Sequence, residues 1–248
     1  MVGRQAGFTI VEISLFMAIT GLLFMIAIAG TGNAVRSFRF TDSGRSLEAF
    51  MQKQYDDILN GFNNRSSTVS CSGGTIDTSV SQAVGSSNCL LMGKLVLFRT
   101  NDPNVTVYNV IGTEPAGVNY NQSDDVLIAA FQPKTVTATA VSTYSIPWGA
   151  KPTGFKRLGD NVATNGLLLL RSPKSARIIS YTFAIPAAVP TDLLPTVNNV
   201  ANNSKATNFC IKNFDGLGSP ARLAISGGAT QSAARIIFNA ADTDCNGV

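Results

Sequence analysis

The feature that most constrains this chain is an apolar run near its N-terminus, residues 8–30, whose only charged side chain is Glu12. About 20 apolar residues suffice for a helix to cross the hydrocarbon of a bilayer, so the run is long enough to span it. A charge near the centre of a membrane segment costs about 2.5–3.5 kcal/mol on insertion scales. An account of this segment therefore has to give Glu12 a function.

Helical periodicity continues beyond the apolar run. Between residues 47 and 62 apolar side chains recur at spacings of three and four, which is typical of an amphipathic helix. We therefore predict one long helix from residue 8 to about 60, with the glycines between residues 30 and 44 as places where it loosens or kinks. Its first half suits lipid, and its second half is expected to pack on a globular head.

The chain beyond Arg65 consists of short β-type runs separated by Ser, Gly and Asn. No second long helical stripe and no internal repeat is visible in it. The strand candidates are residues 90–100, 105–112, 125–131, 135–146, 166–172, 176–185, 208–213, 221–226 and 234–240. These patterns predict an α+β fold, in which a long N-terminal helix packs on an antiparallel β-sheet head.

The composition argues against an enzyme. Among the 248 residues there is no histidine, which removes the commonest general base and the usual transition-metal ligand. Charged residues make up only 14% of the chain, and polar uncharged residues are plentiful, as in an exported β-rich domain. We predict no catalytic site, no metal and no cofactor; a membrane-tethered hydrolase is the alternative, and convergent carboxylates in a deep pocket would support it.

Four cysteines, Cys71, Cys89, Cys210 and Cys245, are present. None forms a CxxC pair, so metal binding is not favoured, and an even number after an export segment indicates disulfides formed in an oxidising compartment. Three pairings are open, of which the sequential one, Cys71–Cys89 with Cys210–Cys245, closes the shortest loops. Reduced, buried thiols are the alternative.

Positive charge is concentrated between residues 151 and 177, which contain six basic residues and only one acidic residue, Asp160. A solvated basic face is one interpretation, and a surface that binds DNA or another polyanion is the other. The candidates for polyanion binding are Lys151, Lys156, Arg157, Arg171, Lys174 and Arg177.

The combination of Gly7, Phe8 and Glu12 with the apolar span that follows resembles the N-terminus of type IV prepilins, a family that includes type II secretion pseudopilins. The resemblance covers about the first 50 residues. It implies that a prepilin peptidase cuts after Gly7, that Phe8 becomes the N-methylated N-terminus, and that Glu12 is the family's assembly glutamate. One departure is Ala29, which stands where many major pilins have a helix-loosening proline and so favours a minor pilin or a pseudopilin.

This resemblance also implies an organisation for the chain. Residues 1–7 would be the leader peptide, 8–30 the transmembrane and polymerisation helix, 31–62 its amphipathic second half, and 63–248 the exported head of a pilin-like lollipop. The protein would cross the cytoplasmic membrane once with its head outside and then enter an extracellular or cell-surface filament. Its partners would be other pilin subunits, the prepilin peptidase and an inner-membrane assembly platform. The alternatives within this framework are a type II secretion pseudopilin and a minor pilin that binds DNA or a surface.

A register function for Glu12 follows if cleavage occurs. Cutting after Gly7 would create an α-amino group on Phe8, which is cationic at neutral pH. Helices staggered by one subunit would bring that amine close to Glu12 of a neighbour. Because an unpaired buried carboxylate is costly whereas a paired one recovers most of that cost, Glu12 would specify the register of packing.

Two simpler interpretations of the segment stay open. A secretory signal peptide could end at Ala29 and release a protein that begins at Gly30, although a glutamate at the start of its apolar region serves no purpose there. A plain single-pass anchor could place Glu12 at the headgroups. The basic residues after the span, among them Arg36 and Arg39, do not support an outside location by the positive-inside rule.

Two acidic motifs in the remainder of the chain are given structural interpretations. Asp242, Asp244 and Asn246 match the opening of a calcium loop, but the final glutamate of such a loop is missing, so a surface turn around Cys245 is favoured. The pair Asp124-Asp125 has no recognisable partner and is interpreted as loop solvation.

Overall fold

The computed structural model describes residues 9–61, 70–72, 75–77, 89–136, 142–157, 164–185, 188–199, 206–213, 219–229, 234–240 and 245. Within these ranges one long helix is followed by antiparallel sheets, which confirms the predicted α+β fold. The chain divides into two compact units, Met1–Thr41 and Asp42–Val248.

Helix α1 runs from Ile10 to Leu59 as one element of 50 residues, so the glycines between residues 30 and 44 do not interrupt it. It ends where Gly61 takes a left-handed conformation, with φ at 66°. The amide of Gly61 donates to the carbonyl of Ile58, which closes the last turn. Residues 10–41 of α1 belong to the first compact unit and residues 42–59 to the second.

The described residues of the second unit form 13 short strands. They are β1 (Ser70–Ser72), β2 (Thr75–Asp77), β3 (Cys89–Leu97), β4 (Asn104–Thr113), β5 (Lys134–Thr135), β6 (Ser142–Ser145), β7 (Lys151–Arg157), β8 (Gly166–Arg171), β9 (Ile178–Phe183), β10 (Thr207–Lys212), β11 (Ala221–Ile225), β12 (Gly228–Ala229) and β13 (Ala234–Ile237). Among the described residues α2 (Asp124–Ala130) and α3 (Leu194–Asn198) are further helices between strands, and a 3-10 turn spans Pro147–Gly149.

Every pairing between the strands named above is antiparallel. The largest sheet has the order β12-β9-β8-β3-β4-β5, with β6 also paired to β4. A four-stranded sheet has the order β13-β11-β10-β7, and β1 pairs with β2 separately. The helix α1 contacts both of the larger sheets, since Lys94 on β3 and Ala234 on β13 each bond to its side chains.

Both faces of the largest sheet are covered. The four leucines of β8, residues 167–170, are all fully buried, as expected for a strand with no solvent-facing side. On one face Leu95 and Tyr181 pack with Ile128 of α2 and Val197 of α3. Side chains alternate along a strand, so Lys94 points to the opposite face, where it meets α1.

Residues 42–59 of α1 pack as the sequence predicted. Leu47, Met51, Tyr55 and Ile58 form a buried stripe at spacings of four, four and three. The prediction that Gly44 loosens the helix was wrong, because α1 is continuous there. This glycine lies against the four-stranded sheet instead. A Cβ at Gly44 would stand 2.8 Å from the ring of Phe238, so the ring would have to shift to admit a side chain.

The prediction of a strand at residues 125–131 was wrong, because these residues form α2 and its C-terminal cap. Leu127, Ile128 and Phe131 are buried at helical spacing, and Asp124 and Asp125 lie in the first turn, where negative charge is favourable. A short apolar run has too few residues for its period to distinguish a buried helix from a buried strand.

Other strand predictions were confirmed in part. Of residues 135–146, Thr135 ends β5 and residues 142–145 form β6, while residues 137–141 lie outside the described ranges. The strand candidates did not include β1, β2, β7 or β12. In β7 two lysines, one arginine, a proline and a glycine weaken the β signal. The remaining strand candidates correspond to β3, β4, β8, β9, β10, β11 and β13.

The disulfides join Cys71 to Cys89 and Cys210 to Cys245, which is the sequential pairing. The first links β1 to the start of β3, and the second links β10 to the C-terminal tail. No cysteine is free, so the alternative of reduced, buried thiols is wrong.

Candidate functional site

The first part of α1 presents apolar side chains in every direction. From Ile10 to Ile28 its large apolar residues are between 50% and 86% exposed. A helix that is apolar all round belongs in lipid or among other helices, since it has no polar side to give to water. By length and composition this part of α1 is suited to cross a membrane.

The hydroxyl groups of this segment are satisfied inside the helix itself. The hydroxyl of Ser14 donates to the carbonyl of Ile10, and that of Thr20 donates to the carbonyl of Phe16. Such bonds to the preceding turn need neither water nor a partner protein. In lipid, where polar groups have no water to bind, these side chains therefore carry little penalty.

Glu12 forms a capping box with Thr9 at the start of α1. One carboxylate oxygen of Glu12, Oε2, accepts hydrogen bonds from both the amide and the hydroxyl of Thr9, each at 2.9 Å. In return the amide of Glu12 donates to the Thr9 hydroxyl at 3.3 Å. This reciprocal arrangement satisfies amides at the helix start that have no partner within the helix.

The capping box gives Glu12 a local function that the sequence analysis did not assign, although the spacing Thr-x-x-Glu signals it. It also removes the objection that a glutamate at the start of an apolar region serves no purpose. Gly7 and Phe8, the predicted processing residues, lie outside the described residues. Among the described residues both side-chain hydrogen bonds of Glu12 use Oε2, and Oε1 accepts none.

An ion pair fixes the other end of α1 to the largest sheet. Lys94 of β3 is only 4% exposed. Its ammonium lies 2.5 Å from the carboxylate of Asp57 and donates to the side-chain oxygen of Gln54 at 2.9 Å. Because a buried ammonium without a partner is strongly destabilising, this pair selects one rotation and one axial position of α1 on the sheet. The sequence signal was the lone lysine in an otherwise apolar strand.

A second set of contacts holds the beginning of the buried part of α1. The indole nitrogen of Trp148 donates to the carboxylate of Asp42 at 2.7 Å. The hydroxyl of Tyr144 donates to Ser46 at 2.7 Å, and its ring stacks on Phe50 with centroids 4.2 Å apart. Trp148 has φ at 59°, a left-handed conformation that is strained for a bulky side chain.

The six basic residues of the 151–177 segment are divided between the two larger sheets. Lys151, Lys156 and Arg157 are on β7, where Lys151 is exposed. Arg157 is 4% exposed and donates to the carbonyl of Thr182 on β9. This hydrogen bond links the four-stranded sheet to the largest sheet. The burial of Arg157 contradicts the prediction that it is part of a binding surface, because a buried side chain cannot reach a polyanion.

Of the other three basic residues, Arg171 ends β8, and Lys174 and Arg177 lie in the turn between β8 and β9. Lys174 donates to the carbonyl of Gln122 at 3.2 Å. Polyanion binding by the exposed members of the set stays a prediction.

Asp124 and Asp125 make specific contacts, so their interpretation as loop solvation was wrong. Asp124 accepts hydrogen bonds from the hydroxyls of Ser172 at 2.6 Å and Ser175 at 2.8 Å. The hydrogen bond from Ser172 is the main cause that lowers the pKa of Asp124. Asp125 accepts from the hydroxyl of Tyr181 at 3.1 Å, and burial is the main cause that raises the pKa of that tyrosine. Together they join α2 to β8 and β9.

The calcium-like motif cannot be placed, because Asp242, Asp244 and Asn246 lie outside the described residues. Within the described ranges no three Cys, Asp or Glu side chains come together as a metal site would require.

Comparison with known proteins found no matching family model, no similar curated protein and no similar solved structure.

Proposed function

We propose that this protein is a structural subunit, a minor pilin or pilin-like protein, of a type IV pilus or related filament. It would be made as a precursor, cut after Gly7 by a prepilin peptidase and N-methylated at Phe8. It would then assemble through the N-terminal part of α1. The protein would be the substrate of these processing reactions and would catalyse no reaction itself.

The observation that carries the proposal is the contrast along one continuous helix. Its residues 10–28 are apolar and exposed on every side, while Leu47, Met51, Tyr55 and Ile58 are buried in the folded unit. A subunit that moves from membrane to filament needs such a helix, because the exposed part must exchange lipid for neighbouring helices while the buried part keeps its own head attached.

The capping box is compatible with cleavage after Gly7. The amide of Thr9 belongs to the bond between Phe8 and Thr9, which that cleavage leaves intact. Glu12 could therefore cap its own helix through Oε2 while Oε1 accepts the Phe8 amine of a neighbouring subunit. In this proposal one carboxylate starts the helix and sets the register of packing.

The proposed location is the cytoplasmic membrane, with the head outside, followed by a filament at the cell surface. The helix suited to cross a membrane and the two disulfides support it. A type II secretion pseudopilin would share the processing and the packing. Co-purification with either pilus or secretion components would distinguish the two.

The deciding measurement is the mass of the N-terminal peptide after co-expression with a prepilin peptidase. We expect methylated Phe8 as the first residue, and we expect Gly7→Val to block cleavage. Gly3→Val, which changes another glycine of the same segment, is the matched control and should be processed normally. A mature protein that starts at Gly30 would establish ordinary secretion instead, and an unprocessed Met1 would establish a plain anchor.

The register proposal for Glu12 is tested by comparing Glu12→Gln with Glu12→Ala. Glutamine keeps the capping acceptor but not the charge, whereas alanine removes both. If the charge sets the register, both variants are processed but fail to form filaments in an assembly assay, in cells or with reconstituted components. Normal assembly of Glu12→Gln would show that only the cap matters, and normal assembly of both would refute a function for Glu12 in assembly.

A further inference from the structure

A pocket of about 300 Å³ lies in the head, at a junction of four segments. These are the start of β3, the loop before α2, the end of α2 and the turn between β8 and β9. The lining residues are Leu90, Leu91, Met92, Tyr120, Phe131, Arg171, Ser172, Pro173 and Ala176. Six of these nine lining residues have apolar side chains, and Arg171 is the only charged residue among the nine.

The wall on the β8–β9 side is held in place by hydrogen bonds. The amide of Ser172 donates to the carbonyl of Arg177 at 2.8 Å, and Ala176 turns the chain with φ at 58°. The hydroxyls of Ser172 and Ser175 both donate to Asp124, which ties the turn to α2. This side of the pocket is therefore formed before any ligand arrives, so little ordering is needed on binding.

The charged side chain that lines the pocket is a cation, Arg171. Arg171 is half-buried, and its guanidinium forms no hydrogen bond or ion pair with any residue that the structure describes. The nearby acids bond to neutral hydroxyls and not to Arg171, since Tyr120 donates to Glu114 at 2.7 Å and Tyr181 donates to Asp125 at 3.1 Å. A guanidinium has five donors, and one that bonds to none of the described residues has hydrogen-bonding capacity for an anion.

Apolar surface at the pocket is exposed as well. Leu90 is 44% exposed and Tyr120 is 42% exposed, although most large apolar side chains of the head are buried. Both line the pocket beside Arg171. A ligand that covered them while reaching the guanidinium would gain hydrophobic contact and an ion pair together.

We propose that this pocket binds a carboxylate carried on an apolar body of about one ring. The planar guanidinium of Arg171 matches a carboxylate through two parallel hydrogen bonds, and Leu90, Tyr120 and Phe131 contact the apolar body. The volume is at the lower end for small-molecule sites, which limits the ligand to this size. The binding requires neither cleavage nor assembly of the N-terminal helix.

Fluorine NMR of para-fluorobenzoate, added to the full-length chain in detergent micelles, tests the proposal. We expect protein-dependent line broadening that a non-fluorinated benzoate reverses, and much weaker broadening of the neutral para-fluorobenzamide. Micelles without protein set the baseline. Arg171→Gln should weaken binding by about tenfold or more, which is the contribution of a charge-assisted hydrogen bond.

A matched variant separates the pocket from general positive charge. Lys151→Gln removes one exposed cation from β7, outside the pocket, and should leave benzoate binding unchanged. Leu90→Asn should weaken binding without changing its charge dependence, because it alters only the apolar wall. Equal binding of the benzamide, equal loss in Lys151→Gln, undiminished binding by Arg171→Gln, or no protein-dependent broadening would each overturn the proposal.

Discussion

Residues 10–28 and residues 42–59 belong to the same α-helix, yet their apolar side chains differ in distribution and in burial. The first segment is apolar on every side and exposed, and the second is apolar along one stripe that is buried. Backbone hydrogen bonding is the same in both. The distribution of side chains around the axis therefore decides whether a stretch of helix is an exchangeable surface or a fixed part of a folded unit.

The polar groups of the two segments differ in the same way. In the first, Ser14, Thr20 and Glu12 bond to their own helix. In the second, polar side chains bond to distant parts of the chain, as Asp57 does to Lys94. A helix whose polar groups are satisfied internally can change its surroundings, whereas one that depends on distant partners cannot do so without unfolding.

The largest expected effect comes from breaking the ion pair of the buried segment. Asp57→Ala leaves the ammonium of Lys94 buried without its countercharge, so we expect the free energy of unfolding to fall by about 3 kcal/mol or more. Denaturant unfolding of the full-length chain, followed by the fluorescence of its one tryptophan, measures this.

The neighbouring Asp56 supplies the control for that experiment. Asp56 is exposed, so Asp56→Ala should change stability by less than about 0.5 kcal/mol. Similar losses in the two variants would mean that the pair with Lys94 does not hold the helix to the sheet.

A smaller loss of stability is expected at Gly44. Gly32 is the comparison, because the sequence predicted that the helix loosens at both glycines. Gly44→Ala places a methyl group 2.8 Å from the ring of Phe238, and we expect a loss of about 1–2 kcal/mol relative to Gly32→Ala. At Gly32 nothing lies within 4 Å of an added Cβ, so alanine should be neutral or slightly stabilising there. Thermal unfolding of both variants makes the comparison, and equal melting temperatures would contradict the close approach at Gly44.

The smallest effect concerns the start of α1. Thr9→Ala removes the hydroxyl of the capping box, which is worth about 1 kcal/mol to the first turn. We expect faster hydrogen exchange of the amides of residues 10–13 and an unchanged unfolding midpoint of the head. Thr9→Ser retains the hydroxyl and should retain the protection. A shift of the head's unfolding midpoint in Thr9→Ala would show that the two segments are not independent.

Sequence alone determined the features that depend on neighbours along the chain. The length of the apolar span, the stripe from Leu47 to Ile58, most strands and the cap signal of Thr9 and Glu12 are all local patterns with a recognisable period or spacing. Even the disulfide pairing followed a local rule, because the shortest loops close first.

Tertiary structure decided what depends on partners distant in sequence. It made α2 a helix, buried Arg157 and placed Gly44 against Phe238. It also brought Lys94 to Asp57 across 37 residues. Period and composition describe only which side of an element is apolar. Which surface covers that side, and which charge meets a buried lysine, is settled by the packing of the elements against one another.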